Sequence, residues 1–600
     1  MASTTLVLLA DDVCADGSGY ADRTIDLKRN EGDQTTLAVR NYEATPYVPF
    51  VTIDSLWNVQ STLRMEVVHG EDGRFTFKNP INGMTAVFDP VSGILRTDDH
   101  QKFIMTSADE DEVYRFMDLR EQAVMKAPAA KTFDLKAYDI PYYVDDGGVY
   151  LPMTTASDIL MCFEIRHVGY IDGAGYVFKG YDILTDNPVK TEYMSKNIIE
   201  MSRTAPRDPA FARFTYNELC FALDNNFGKS ETSVLGAELQ SDRLDSVLEK
   251  HSPTTKRIKG WLQSTDAVEY YAGIYLLMMY LDDGGHTGPF IAFRTLDVNV
   301  PGLGDAIRKV IEGEVQPKTV NRGVLGQQII KPIRESVWGA ETYREKGDTA
   351  VYSLDSFAVD KQAWEDCYDN GGDLPDDIYG NAIRALERAK ANPAIKNFVF
   401  DYTCNTEGDS AAGIAVLSLM YGGYAYSRSM DSNSGEMSSI MYAVDTNLSG
   451  KFDENDLRRQ YDFRYGILTT TATYSCGNLI PVLAKEKGTV IIGKRTGRGA
   501  HAIEVGSLAD GFFNHLSSSV TMVDSSWKSV ETGAQPDCVL ADSFSDSPDY
   551  KVLYDIDKLS EIMNRSDSHG VDQTLWTAIG AVLAAVFAIA LYAVISKVCR

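Results

Sequence analysis

The sequence predicts an α/β protein with a β-rich N-terminal part and a membrane-spanning tail. Three observations carry that reading. Beyond residue 345, strand-like and helix-like runs alternate, which argues for a layer of largely parallel strands. From about residue 205 to 283 apolar residues recur at helical spacing. Near the C-terminus, LWTAIGAVLAAVFAIALYAVI (575–595) carries no charge over the length of a bilayer crossing. At 600 residues the chain is too long for one core and points to three or four domains.

In the N-terminal part, YVPFVTIDSL (47–56) and YLPMTTASDIL (150–160) echo each other. Each reads as a strand ending in or after Pro, followed by a short helix opened by Thr. β-rich segments such as RFTFKNPINGMTAVFDPVSGILR lie between them. Residues 1–165 thus resemble two copies of the copper-amine-oxidase N-terminal-like module of Gram-positive surface proteins, with no metal implied. The acidic run SADEDEVYRFMDLREQ reads as a solvated helix face.

Residues 205–290 form a helical unit. TYNELCFALDNNFG pairs Thr215 with Glu218 in a capping-box pattern, and Tyr216, Cys220, Leu223 and Phe227 fall on one face. Cys220 is therefore expected in the core. TDAVEYYAGIYLLMMYL is a second helix, stopped by Asp-Asp-Gly-Gly. Residues 345–560 hold the βα alternation: IYGNAIRALERAKAN and DSAAGIAVLSLMYGG as helices, and NFVFDYT, YGILTTTATY and TVIIG as strands.

Chemistry concentrates at TATYSCGN, where a strand-like run stops at Ser475 and Cys476 before a helix-like run. On that turn alone Ser475 reads better as a helix N-cap than as a nucleophile. Four motifs together alter the balance. NFVFDYTCNTEGDSAAG, YGILTTTATYSCGNLIPVLAKEKGTVIIGKRTG, VETGAQPD and LDDGGHTG resemble segments of the C-terminal-processing and tricorn-core serine peptidases. The resemblance spans residues 205–560 and implies a crotonase-like spiral α/β catalytic domain.

It implies Ser475 as nucleophile, with an oxyanion held by the Cys476 amide at a helix N-terminus and by Gly408 of the Asn405–Gly408 turn. It leaves two choices of base. In the Ser-Lys branch the lysine position is filled by Arg498, which cannot be deprotonated; Lys494 is close in sequence but aligns elsewhere. The tricorn-like branch points to His286 as base and Glu531 as the group orienting its imidazole. Gly285 stands where that branch has Ser, and Glu407 where a second glycine is usual. No glycine-rich carboxylate-binding loop of a PDZ domain is recognisable between His286 and residue 345. The implied activity is peptide-bond hydrolysis on a peptide or protein substrate, with no cofactor required. The alternative is a non-catalytic binding protein that has kept the fold, and the sequence does not give the oligomeric state.

Composition excludes other classes. With 85 acidic against 57 basic residues, the net charge of −28 disfavours nucleic acid as a partner. The 8 cysteines and 8 histidines are scattered, with neither CxxC nor HExxH. GTVIIGKR is near a phosphate-binding loop, but its centre is β-strand material. DTNLSGKFDEND (445–456) places Asp445, Asn447, Ser449, Asp453 and Asp456 at the ligand spacing of a calcium loop, though with Asp rather than Glu at its end. Lys597 and Arg600 beyond the apolar run put the tail in the cytoplasm and the domains outside a cell membrane crossed once. MASTTLVLLADDV has no basic n-region, so a missing signal peptide is expected, the other choice being a tail anchor with cytosolic domains.

Overall fold

The computed structural model describes residues 19–29, 35–106, 114–145, 147–160, 167–178, 187–203, 205–318, 321–540 and 549–565. The apolar run 575–595 lies outside them. Among the described residues no helix is long and apolar enough to cross a membrane.

The centre of the fold is a six-stranded sheet. Strands Thr349–Ser353, Asn397–Asp401, Arg464–Thr469, Val490–Gly493 and Cys538–Val539 run parallel, with Tyr343–Lys346 antiparallel at one edge. The near-continuous apolar character of NFVFD and YGILT follows from burial on both faces. Alternate residues Ala350, Tyr352, Phe398, Phe400, Ile467 and Ile491 join one core with the helices Ile378–Ala391 and Ser410–Tyr421. Their neighbours Val351, Val399, Leu468 and Ile492 join another with Ile330, Leu553 and Tyr554. The expected faces of the first helix hold: Ala382, Leu386 and Ala389 are buried.

Register decides where the chemistry falls. Asp401 pairs with Leu468, and Thr469 with Gly493, so three strands end side by side. The turns that follow them, 402–408, 470–475 and 494–500, therefore share one edge of the sheet. Ligand and active sites of parallel sheets lie at this carboxyl end.

The two echoing N-terminal stretches do not sit on separate sheets. Phe50–Thr52 pairs antiparallel with Gly148–Pro152 inside one seven-stranded sheet, and the helices Ile53–Gln60 and Met153–Ile159 that follow them pack together. That sheet also takes in His167–Ile171 and Ala174–Phe178, beyond residue 165. The intervening β-rich segment makes the meander Phe75–Lys78, Thr85–Asp89, Ile94–Thr97.

Two expectations are corrected. Met117–Lys126, which overlaps the end of the acidic run read as a helix face, is a strand paired with Met437–Val444; cross-strand pairing outweighed its polar composition. The helix carrying Thr215 begins earlier, at Pro209 behind the N-cap Asp208, so Thr215 is interior and makes no capping box. Glu218 is buried and accepts from Thr154, from Thr155 at 3.2 Å and from the Ala509 amide at 2.8 Å, tying this helix to the N-terminal part. Burial pushes its carboxyl up to about 7, against those hydrogen bonds. Tyr216, Cys220, Leu223 and Phe227 are buried together as expected.

Candidate active site

The strand Arg464–Thr469 stops because Thr470–Thr473 closes a turn: the Thr470 amide donates to Thr473 Oγ1 at 2.9 Å. The chain then enters the helix Cys476–Glu486 through Ser475, whose backbone has φ 56° and ψ −127°. A non-glycine residue pays a steric penalty there and holds it only when its surroundings over-determine it. Three backbone bonds do so. Tyr474 N–H donates to Asn405 O at 3.0 Å, Ser475 N–H to Arg498 O at 3.0 Å, and Gly497 N–H to Thr473 O at 2.7 Å. Thus all three strand-end turns grip the elbow. Gly477 is part of the fit, since a Cβ there would lie 2.3 Å from Asn405 O.

Ser475 makes no capping hydrogen bond through its side chain, so the N-cap reading is not what this turn uses. The residue is half-buried at the elbow. The Gly477, Asn478 and Leu479 amides donate to Tyr474 O, Ser475 O and Ser475 O, which leaves the Cys476 amide as the first of the helix. The Cys476 thiol is buried and pushed up to about 12 by that burial, with Asp409 adding to it. It is held as a thiol and is a poor nucleophile.

Gly408, the second oxyanion candidate, has φ 128° and bridges to Phe357, whose amide nitrogen a Cβ there would meet at 2.4 Å. Its glycine requirement comes from that contact. Within the same turn it is Asn405 whose carbonyl touches the elbow.

His286 lies in the loop after the helix Ala267–Leu281, buried. Asp282 caps the loop by accepting from Gly284 at 3.1 Å and Gly285 at 2.8 Å. The His286 ring packs on the Tyr474 ring, centroids 4.7 Å apart, and Tyr474 immediately precedes Ser475. Gly284 and Gly285 also lie against the Tyr474 ring, where a Cβ would come within 3.4 Å and 3.5 Å. Tyr474 Oη donates to Asp283 Oδ1 at 3.1 Å, and Ser517 Oγ donates to Asp283 Oδ2 at 2.7 Å.

The pKa of the imidazole is pushed down to about 4, because burial outweighs the attraction of Asp283 and because His501 and His515 repel a second positive charge. The ring is not oriented by Glu531. That carboxylate is buried on the turn Val530–Thr532 and accepts from Thr232 Oγ1 at 2.7 Å, Ser230 Oγ at 3.2 Å and the Ala500 amide at 2.6 Å. His286 Nδ1 is buried without a hydrogen-bond partner. Burial, then Asp283, raises the Glu531 pKa.

One residue was passed over. His501, buried, follows the Gly497–Gly499 turn, and its Nδ1 lies 2.8 Å from the Ser518 carbonyl. A carbonyl can only accept, so this nitrogen carries the proton and Nε2 is left as the basic one. It is an electrostatic neighbour of both His286 and Glu531. The signal in the sequence is a histidine two residues beyond a glycine turn. Lys494 Nζ lies over the Tyr550 ring at 5.4 Å.

The 445–456 loop closes on itself. Asp445 accepts from the Ser449 amide at 3.0 Å, the Gly450 amide at 2.7 Å and Tyr368 Oη at 3.0 Å. Asp456 accepts from the Thr446 amide at 3.0 Å and the Asp453 amide at 2.9 Å. Asn447 takes the Ser449 amide at 3.0 Å, and Asp453 the Asn455 amide at 2.7 Å. The ligand spacing is thus filled by Asx turns, and among the described residues no group of three His, Cys, Asp or Glu side chains converges as a metal site.

No family model and no curated protein matches the chain. Parts of it are similar to solved structures. The photosystem II D1 C-terminal processing protease is 18% identical, over 34% of this chain and 46% of that one, with a TM-score of 0.23. Mature CPAF in complex with lactacystin is 13% identical over 36% and 51%, with a TM-score of 0.25. A lipoprotein from Streptococcus agalactiae is 13% identical over 56% and 93%, with a TM-score of 0.30. The chain spans about half the length of the first two.

Proposed function

We propose that the protein is a serine-type peptidase with Ser475 as nucleophile. The observation that carries this is the elbow itself. A serine in a costly backbone conformation, at the carboxyl end of a parallel strand and the head of a helix, leaves its hydroxyl out of capping.

In this reading Ser475 Oγ attacks the substrate carbonyl and passes its proton to His286, the base that packs on the neighbouring Tyr474. The Cys476 amide and the positive end of its helix meet the developing oxyanion, with Gly408 as second donor. The amine leaves with the proton from the imidazole, and water then cleaves the acyl-enzyme by the same route. His286 is neutral at neutral pH, as a base must be, because burial holds its pKa down. Glu531 supports the site by fixing the 500 turn rather than by touching the imidazole. The run 575–595 anchors the domains outside a membrane in this proposal, and protease shaving of intact cells should release them.

A second reading, a non-catalytic binding protein, is favoured by one observation: His286 Nδ1 has no partner, so no complete Ser–His–acid chain is assembled. Hydrolysis of a peptide library separates the two. Wild type should cleave and Ser475→Ala should not, whereas cleavage equal in both would reject Ser475.

A further inference from the structure

Away from the elbow, distant parts of the chain close around a cavity of about 230 Å³. One wall is the head of the helix His100–Ile104 and the stretch leading into the strand Lys131–Asp134. The other is the end of the helix Pro209–Asn226, with Lys229 beyond it, and the tip of the hairpin joining Ala425–Asp431 to Met437–Val444. That tip is docked: Ser434 O accepts the Ala129 amide at 2.8 Å, and Asn433 Nδ2 donates to Asn225 O at 3.0 Å.

The lining is charged, and most of its charge is engaged. Asp99 accepts from the Lys102 amide at 3.1 Å and pairs with Lys102 Nζ at 2.7 Å. Asp224 accepts from the Leu244 amide at 2.8 Å and from Tyr138 Oη at 2.9 Å. Asp431 accepts from the Asn433 amide at 2.8 Å and the Ser434 amide at 3.1 Å. Lys131 Nζ reaches Asn226 Oδ1 at 3.4 Å. Lys229 and Glu436 differ. Among the described residues, neither the Lys229 ammonium nor the Glu436 carboxylate makes a hydrogen bond or an ion pair.

Both are half-buried. Burial lowers the Lys229 pKa against the pull of Asp224, and it raises that of Glu436, with Asp99 adding to it. Lys229 also has φ 55°, a conformation that a non-glycine residue keeps only where its neighbours impose it. Here they do. The Gly228 amide donates to Ser517 O at 2.8 Å, and a Cβ on Gly228 would lie 2.0 Å from Ser518 O. A cation and a carboxylate drawn from water on one cavity, each without a partner, are answered together by a ligand that carries both charges. Size narrows the class. The cavity is smaller than the ~300–1,000 Å³ of sites for drug-sized ligands, which suits an amino acid or dipeptide rather than an extended peptide.

We propose that this cavity binds a small dipolar molecule, an amino acid or a dipeptide, with its carboxylate on Lys229 and its ammonium on Glu436. The site itself does not depend on the peptidase reading. On that reading such molecules are products of the reaction, received one residue from Ser230, whose hydroxyl donates to Glu531.

Calorimetry on the full-length Ser475→Ala protein tests this without turnover. The probes are L-alanine, the dipeptide Ala-Ala, its N-acetyl form, which lacks the ammonium, and its amide, which lacks the carboxylate. Ala-Ala should bind about tenfold or more tighter than either blocked form. Comparison of alanine with Ala-Ala tells the amino acid from the dipeptide. Lys229→Met should bind Ala-Ala and its amide alike, Lys229→Arg should keep the preference for the free carboxylate, and Glu436→Gln should bind Ala-Ala and its N-acetyl form alike. No heat from any probe at millimolar concentration, blocked forms that bind as well as the free ones, or preferences that survive both neutral variants in folded protein overturn the proposal. Because no readout uses catalysis, failure of Ser475 as nucleophile would leave these results untouched.

Discussion

The Ser475 amide donates to the Arg498 carbonyl at 3.0 Å, and both residues sit at positive φ, 56° and 78°. Two strained turns thus hold each other in place, with Asn405 gripping from the third side. The strain is sustained by backbone contacts that leave no room for extra atoms, and Gly477 is among the tightest of them.

Gly477→Ala should therefore damage the elbow. Its Cβ would lie 2.3 Å from Asn405 O and 2.7 Å from Asn405 Oδ1, which real contacts do not allow. The expected cost is about 1–3 kcal/mol of stability, as for other overpacked sites, with activity falling further than stability because the turn must open. Thermal unfolding and peptide hydrolysis measure the two. An unchanged melting temperature with full activity would show that the turn is not tightly packed.

The acidic limb of the pH profile reports on the base. With its pKa pushed down to about 4, His286 keeps its neutral form well below the ~6.5 of an ordinary histidine. Activity should stay level from neutrality to about pH 5 and fall only toward 4. His286→Ala should lose on the order of a thousandfold, as triad members do. A midpoint near ~6.5 would mean that His286 is not the titrating base. Stability carries the same sign. The unfolded chain binds a proton on this histidine between ~6.5 and the folded value, so the folded state loses ground as pH falls through that window. Relative to His286→Gln, the wild type should lose on the order of 3 kcal/mol by pH 4.

Glu531→Gln separates support from catalysis. Its carboxylate accepts the Ala500 amide at 2.6 Å and Thr232 at 2.7 Å, bonds to a charged acceptor that the amide weakens. Melting should drop by the equivalent of about 1–3 kcal/mol, while kcat/KM of the folded enzyme changes less than about tenfold. A thousandfold loss without a melting shift would restore Glu531 as the group that orients the base.

How much of this was legible in the sequence varies with the range of the interaction. The parallel sheet was legible because NFVFD and YGILT are apolar on both faces, which only burial between layers explains. The turn after Thr469 was readable as a strand-to-helix junction, but the backbone angles of Ser475 were not, since they are imposed by Arg498 and Asn405 from other strands. Glu218 misled for the same reason. Its spacing to Thr215 matched a local cap, while its partners, Thr154 and Ala509, lie far along the chain. The low pKa of His286 is not legible in the sequence, because burial is a property of the assembled fold.

The 445–456 loop offers a contrast between spacing and geometry. Because Asp445 and Asp456 already accept backbone amides, the loop should be rigid without an ion. Millimolar calcium should leave the wild-type melting temperature unchanged, and Asp445→Ala should lower it by about 1–3 kcal/mol equivalent with or without calcium. A calcium-dependent rise in the wild type that Asp445→Ala abolishes would show that the carboxylates turn outward to bind.

The central claim is that Ser475 is a nucleophile. Labelling of the folded wild-type protein with a fluorophosphonate, followed by peptide mapping of the adduct, tests it most directly. The account expects one adduct, on Ser475, that is lost in Ser475→Ala and persists in Cys476→Ala. Folded protein that takes no label, or carries it on another residue, would contradict the account.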